Sequence, residues 1–204
     1  MSLHHYFLKD QVLSSEAEKT FPLLFSEDDF KHARAQRLQK GEHISLIDAE
    51  GVYYECEVQD FSNDLLKVRI VEKASLQPPA YSVSLAFANL KSDKNEQVIK
   101  ACTEIGINKF FIFNASRSVS VLREDKATKK LDRYEKIAKS AAMQSGSSFI
   151  PQIIFCKDTQ ELCSKLGGFD KVFVLWEEAD LQNTLNSQLK DVQQGNFLLV
   201  IGTE

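Results

Sequence analysis

"YSVSLAFANLKSDKNEQVIKACTEIGINKFFIFN", residues 81–114, changes its period twice. Residues 81–88 are an apolar run that reads as a strand. Residues 92–106 place Val98, Ile99, Cys102 and Ile105 at helical spacing, which predicts a helix with one buried stripe. Asp93 followed by Glu96 has the form of a capping box, and Gly106 is a stop signal. Residues 109–114 are a second apolar strand. Strands that are apolar throughout and alternate with helices predict a parallel sheet covered on both faces.

The pattern continues to the end of the sequence. A long helix is expected at about 126–145, with Leu131, Tyr134, Ile137, Ala138, Ala141 and Ala142 inward and Gly146 after it. A strand at 149–156 follows, then a helix at 158–168 that opens on Asp158 with Glu161 three residues on. Residues 171–176 read as a strand, 181–192 as a helix, and "NFLLVIG" (196–202) as the last strand. Ligands of such sheets sit beyond the C-terminal ends of the strands. Three loops are therefore in view: 114–123, 176–180, and 202 onward.

The N-terminal part differs. Residues 42–58 and 65–71 alternate with period two, with Leu66, Val68 and Ile70 on one face and Lys67 and Arg69 on the other. A short helix is expected at 26–38, with Ser26 as N-cap and Asp28 and Asp29 in its first turn. Pro78-Pro79 cannot sit inside a sheet, and the linker 73–81 around them separates a β-rich module, residues 1–75, from the α/β part, residues 76–204.

Composition narrows the chemistry. The net charge is −4, but it is unevenly spread. Residues 1–90 hold nine basic and fourteen acidic side chains, residues 91–150 twelve and seven, and residues 151–204 four and eight. A basic middle block either attracts phosphates locally or is a solvated helix face. The eight glycines form no G-x-G, and neither a Walker A loop nor a nucleophile elbow is present. The four cysteines are scattered without C-x-x-C spacing, so neither a metal site nor a disulfide frame is expected, and reduced thiols in a cytoplasm are the default. No apolar run approaches the roughly 20 residues that cross a bilayer. Lys91 and Lys94 stand at a helix entry. Arg117 follows a strand among small hydroxyl residues, suited either to bidentate phosphate or base recognition or to pairing with Glu104 or a helix C-terminus. Arg133, Lys136 and Lys139 share one side of the long helix, as a solvated face or as an RNA contact.

Four ordered stretches resemble one family. They are "KSDKNEQVIKACTEIGINKFFIFNASRSVSV" (91–121), "RYEKIAKSAAMQSGSSFIPQI" (133–153), "KHARAQRLQKGEHISLIDAEGVYYECEV" (31–58) and "LLVIGTE" (198–204). Together they are similar to the 16S ribosomal RNA uridine-N3 methyltransferases, the small-subunit methyltransferase E family of the SPOUT class. Ser147 stands where the family usually has Arg, Ala49 where it has a turn glycine, and Thr203 where it has Pro. Family members continue with Gly-Gly, a helix and the tail that closes a trefoil knot, so the 204 residues by themselves are expected to be inactive and to bind the cofactor weakly.

The resemblance implies an N-terminal PUA-like β-barrel domain that grips RNA, with Arg34, Arg37 and Lys40, followed by an alpha/beta knot methyltransferase domain. It implies methyl transfer from S-adenosyl-L-methionine to N3 of a uridine in 16S rRNA, on the 30S ribosomal subunit, by a cytoplasmic homodimer without a metal. It assigns the cofactor edge to Leu175, Trp176, Gly202 and Glu204. Arg117 becomes the catalytic candidate, and Lys91, Lys94, Arg133 and Gln144 the RNA-binding ones. A non-catalytic RNA-binding protein on the same scaffold is the competing reading.

Overall fold

The computed structural model describes residues 3–14, 19–62, 65–74, 79–91, 93–118, 120–179 and 184–202. The chain divides into two compact units, residues 1–77 with 143–149, and residues 78–142 with 150–204.

The first unit holds β1 (His4–Phe7), β2 (Thr20–Pro22), α1 (Glu27–Ala35), β3 (His43–Ile47), β4 (Tyr53–Ser62) and β5 (Leu65–Ala74). Ser26 caps α1, and its hydroxyl accepts from the Asp29 N–H. The strands form one sheet in the order β1-β3-β4-β5-β2. Alternation sets its buried face: Tyr54, Cys56 and Val58 of β4 and Leu66 and Val68 of β5 are buried, whereas Glu57 and Arg69 pair across the outer face at 2.6 Å. β1 and β2 are the edges of this sheet, so the expected barrel is not closed among the described residues. Alternation specifies which side chains turn inward, but closure depends on pairings between strands far apart in the chain.

The second unit holds β6 (Tyr81–Ala88), α2 (Lys94–Glu104), β7 (Lys109–Phe113), α3 (Glu124–Ser145, ending in the first unit), β8 (Gln152–Cys156), α4 (Thr159–Ser164), β9 (Lys171–Leu175), α5 (Leu185–Leu189) and β10 (Gly195–Ile201). All five strands are parallel, in the order β8-β7-β6-β10-β9. One face buries Leu85, Phe87, Phe110 and Ile112 against Ile99 of α2 and Tyr134 and Ala138 of α3. The other buries Ala86, Phe111, Phe113 and Leu198 with Leu162 of α4. Each fully buried side chain of Leu or Phe size contributes roughly 1.5–3 kcal/mol.

Several local expectations change. Asp93 makes no capping hydrogen bond, because its backbone (φ −89°, ψ 1°) is not the extended one that aims an N-cap side chain at the helix N–H groups. Its carboxylate accepts instead from Gln97 Nε2 at 3.0 Å. The buried stripe of α2 runs through Asn95, Ile99 and Thr103, with Val98 and Cys102 partly buried. Ile105 is 79 % exposed, since it falls on the C-cap where the helical register has ended, and Ile107 is buried in its place. Asp158 does cap α4, but α4 stops at Ser164 and a 3₁₀ turn, Leu166–Gly168, follows. β8 begins at Gln152, after Pro151, which has no N–H for a ladder. α5 is shorter than expected and is capped by Thr184; the earlier part of that predicted helix, like Pro78, lies outside the described residues.

Candidate functional site at the strand-order reversal

Strand order decides where ligands meet the second unit. From β6 the chain steps outward through β7 to β8, then crosses to β9, and β10 inserts between β9 and β6. The direction of winding reverses between β6 and β10, and a crevice beyond the C-terminal strand ends at such a reversal is where open parallel sheets bind ligands. The register aligns those ends. Ile201 pairs with Phe87 on one side and Leu175 on the other, and Ala88 pairs with Phe113. One residue on, Gly202, Ala88 and Trp176 stand in one row.

That row carries an unusual surface. Trp176 is 63 % exposed, Leu175 44 % and Ile201 41 %. Apolar side chains exposed together form the kind of patch that marks interaction sites. Gly202 adds open backbone, because a Cβ placed there would meet no atom within 4 Å. A shallow hollow of about 380 Å³ flanks edge strand β9, lined by Val174, Leu175, Ala179 and Leu185 among others. A larger hollow of about 600 Å³ lies by Asp170, Asp191 and Phe197, at the opposite ends of β9 and β10, and so is not beside the row.

The loops after β6 and β7 are tied together by a buried polar network. Asn95, fully buried at the start of α2, accepts from the Leu90 N–H at 2.9 Å through Oδ1. Its Nδ2 donates to Asn89 Oδ1 at 2.8 Å and to the Tyr134 hydroxyl at 2.9 Å. Asn89 in turn donates to the Ser120 carbonyl at 2.9 Å, and its own N–H to the Phe113 carbonyl at 2.7 Å. Periodicity treats Asn89 and Asn95 as ordinary polar positions; only the fold shows them as satisfied core groups. An Asn six residues from another Asn at a strand exit was the available signal.

Arg117 stands on the second of these loops. Residues 115–118 form a turn closed by the Ser118 N–H to the Ala115 carbonyl at 2.9 Å, and Asn114 bonds both backbone groups of Leu122 through its side chain. Arg117 is exposed at that turn and has no hydrogen bond or ion pair among the described residues, so the expected alternative pairing with Glu104 does not form there. Its loop leaves β7, two strands from β10 and so roughly 10 Å from Gly202 along the sheet. Lys91 and Lys94 are exposed on the neighbouring loop and the first turn of α2.

The other expected residues are placed differently. Arg133 donates to Glu96 at 2.8 Å, joining α3 to α2. Gln144 is exposed and groups with the first unit, where Arg34, Arg37 and Lys40 are also exposed at and after the end of α1. Glu204 lies outside the described residues. Burial pushes the Cys56 thiol up to about 12 and Cys156 up to about 11, which makes both poor nucleophiles near neutral pH. Among the described residues no group of three His, Cys, Asp or Glu side chains could hold a metal ion, and no helix is long and apolar enough to cross a membrane.

A doubly covered parallel sheet with its open row at a strand-order reversal defines the class: an α/β protein built to bind a ligand there. Comparison with known proteins narrows it. A family model for an RNA methyltransferase domain matches residues 77–204. The "Ribosomal RNA small subunit methyltransferase E" of Bacillus subtilis is 29 % identical over 98 % of this chain and 79 % of that protein. A solved structure described only as an hypothetical protein superposes with a TM-score of 0.81 at 30 % identity, over 97 % of this chain and 80 % of that one. The small subunit methyltransferase E of Neisseria gonorrhoeae, solved bound to S-adenosyl methionine, shares the fold at a TM-score of 0.77 and 16 % identity, over 98 % of this chain and 80 % of that one. The chain belongs to the RNA methyltransferase family, in its ribosomal RNA small subunit methyltransferase E branch, and its fold is like that of the SPOUT methyltransferases.

Proposed function

We propose that the protein methylates N3 of a uridine in 16S ribosomal RNA, with S-adenosyl-L-methionine as donor. The observation that carries this reading is the row of Leu175, Trp176 and Gly202 at the strand-order reversal, with Arg117 two strands away. The residues present fit the cofactor: exposed apolar side chains suit a purine and ribose, and open glycine backbone suits close approach. Leu175, Trp176 and Gly202 would hold it, with Glu204 beyond them. When bound, the cofactor supplies an electrophilic methyl group.

The chain's own side chains then have three tasks. Lys91 and Lys94 hold phosphates near the row, and Arg133 lends charge from α3. Arg117 bonds the pyrimidine oxygens. Loss of the N3 proton to solvent before the site closes leaves negative charge on O2 and O4, and a guanidinium, which does not itself give up a proton, stabilises that charge and fixes the ring. The row must exclude water so that the methyl meets N3 in line. The first unit, read as a PUA-like module, grips RNA through Arg34, Arg37 and Lys40, with Gln144 beside it in the same unit. The working form is read as a cytoplasmic homodimer.

Labelled cofactor incubated with 30S subunits and protein expressed from the whole gene is expected to give 3-methyluridine on digestion to nucleosides. Label in a different nucleoside would overturn the N3 assignment, and protein that binds the subunit without transferring label would be the non-catalytic reading. Trp176→Ala is expected to raise the cofactor dissociation constant about tenfold by removing an aromatic cover. Unchanged affinity in calorimetry would remove the row from the cofactor site.

A further inference from the structure

We propose that the exposed face of α3 is a second RNA contact, one that binds the phosphate backbone and leads to the row; this rests on the RNA reading above. At 3.6 residues per turn, Lys126, Lys129, Arg133 and Lys136 fall within about 80° of one another, a stripe roughly 15 Å long. It lies away from the buried stripe of Tyr134, Ala138 and Ala142, and Lys126, Lys129 and Lys136 are all exposed. The helix's exposed acids, Asp125, Asp132 and Glu135, border the stripe on one flank, with Asp125 and Asp132 one turn before Lys129 and Lys136. The acid that reaches it from α2 is Glu96, whose carboxylate is already engaged by Arg133.

Two features argue that these cations serve a partner. Lys126 stands in the first turn of α3, where the helix dipole disfavours positive charge, so helix stability does not account for it. The stripe also starts at the right place. α3 follows the Arg117 loop at the C-terminal end of β7, so its first turn stands at the ligand edge and its axis runs back along the sheet. An RNA strand with one base at the row can lay its neighbouring phosphates along the stripe's length. The stripe is thus Lys126, Lys129, Arg133 and Lys136, and Lys139 is not part of it, being half-buried on the flank that carries Asp132 and Glu135.

The test uses Lys126→Gln/Lys129→Gln/Lys136→Gln, which keeps good helix formers on the surface. A Lys157→Gln/Lys190→Gln variant removes charge elsewhere in the same unit. Binding of fluorescent oligouridylate and of 30S subunits is followed between about 50 and 200 mM salt. The triple variant should bind at least about tenfold more weakly at the low-salt end, with a log–log salt slope shallower by roughly 2, and the control should keep the parent slope. Equal slopes for parent and triple variant overturn the stripe while leaving the enzyme reading intact. A stripe-dependent slope in a protein that transfers no methyl group supports the contact and removes the enzyme reading. No RNA binding by the parent protein at any salt overturns both.

Discussion

Arg117→Ala is expected to cut the turnover of methyl transfer by about 10²–10³-fold while cofactor affinity stays within about twofold. The size is that of losing one preorganised donor aimed at developing charge. The selectivity follows from position. Arg117 rides on a turn held by Asn114 and Ser118 in the β7 loop, two strands from Gly202 and three from Trp176, so truncating it leaves the row untouched. Arg117→Lys keeps the charge but not the planar fork and should fall between the two. Single-turnover rates with saturating cofactor and 30S subunits measure this, with calorimetry for the cofactor. Turnover equal to that of the parent protein would sink the role.

Asn95→Ala is expected to destabilise the second unit by about 2–4 kcal/mol, because it leaves two buried groups, Asn89 Oδ1 and the Tyr134 hydroxyl, and the half-buried Leu90 N–H without their partner. At this chain length that lowers the midpoint by roughly 4–16 °C. Asn89→Leu with Asn95→Leu removes two facing polar groups together and should cost less than the sum of the two single changes. Thermal melts of the parent, Asn95→Ala, the two single Leu variants and the double give the comparison. A loss under about 1 kcal/mol for Asn95→Ala would mean that water reaches the network and replaces Asn95.

Local structure was legible where the physics is local. Ser26 and Asp158 were identified as caps because a cap needs only an N–H three residues on, and both make that bond. β6 matched its apolar run at both ends, and the inward face of α3 followed from its spacing. Asp93 shows the limit of the same logic. It carries the capping pattern, but the chain enters α2 from a loop drawn in by the buried Asn89–Asn95 pair, in a backbone conformation that turns its carboxylate away from the helix N–H groups. Ile105 kept the apolar spacing for one position after the helix had ended. Arg133 looked like a free surface cation until the fold set Glu96, 37 residues earlier, against it.

The sequence by itself determined the kinds of elements and most of the side chains that turn inward, because periodicity and capping act over a few residues; Leu175, Trp176 and Gly202 were pointed to by the family resemblance and not by any period. Only the tertiary structure decided that β10 inserts between β6 and β9, which sets Gly202 beside Trp176 although they are 26 residues apart. It alone decided that the β-rich sheet stays open among the described residues, that two asparagines are core groups, and that Arg133 of α3 pairs with Glu96 of α2. The physical reason is common to all four. Strand neighbours, buried hydrogen-bond partners and the direction a helix face presents are chosen by contacts between distant segments, and a period along the chain is the same whichever neighbour is chosen.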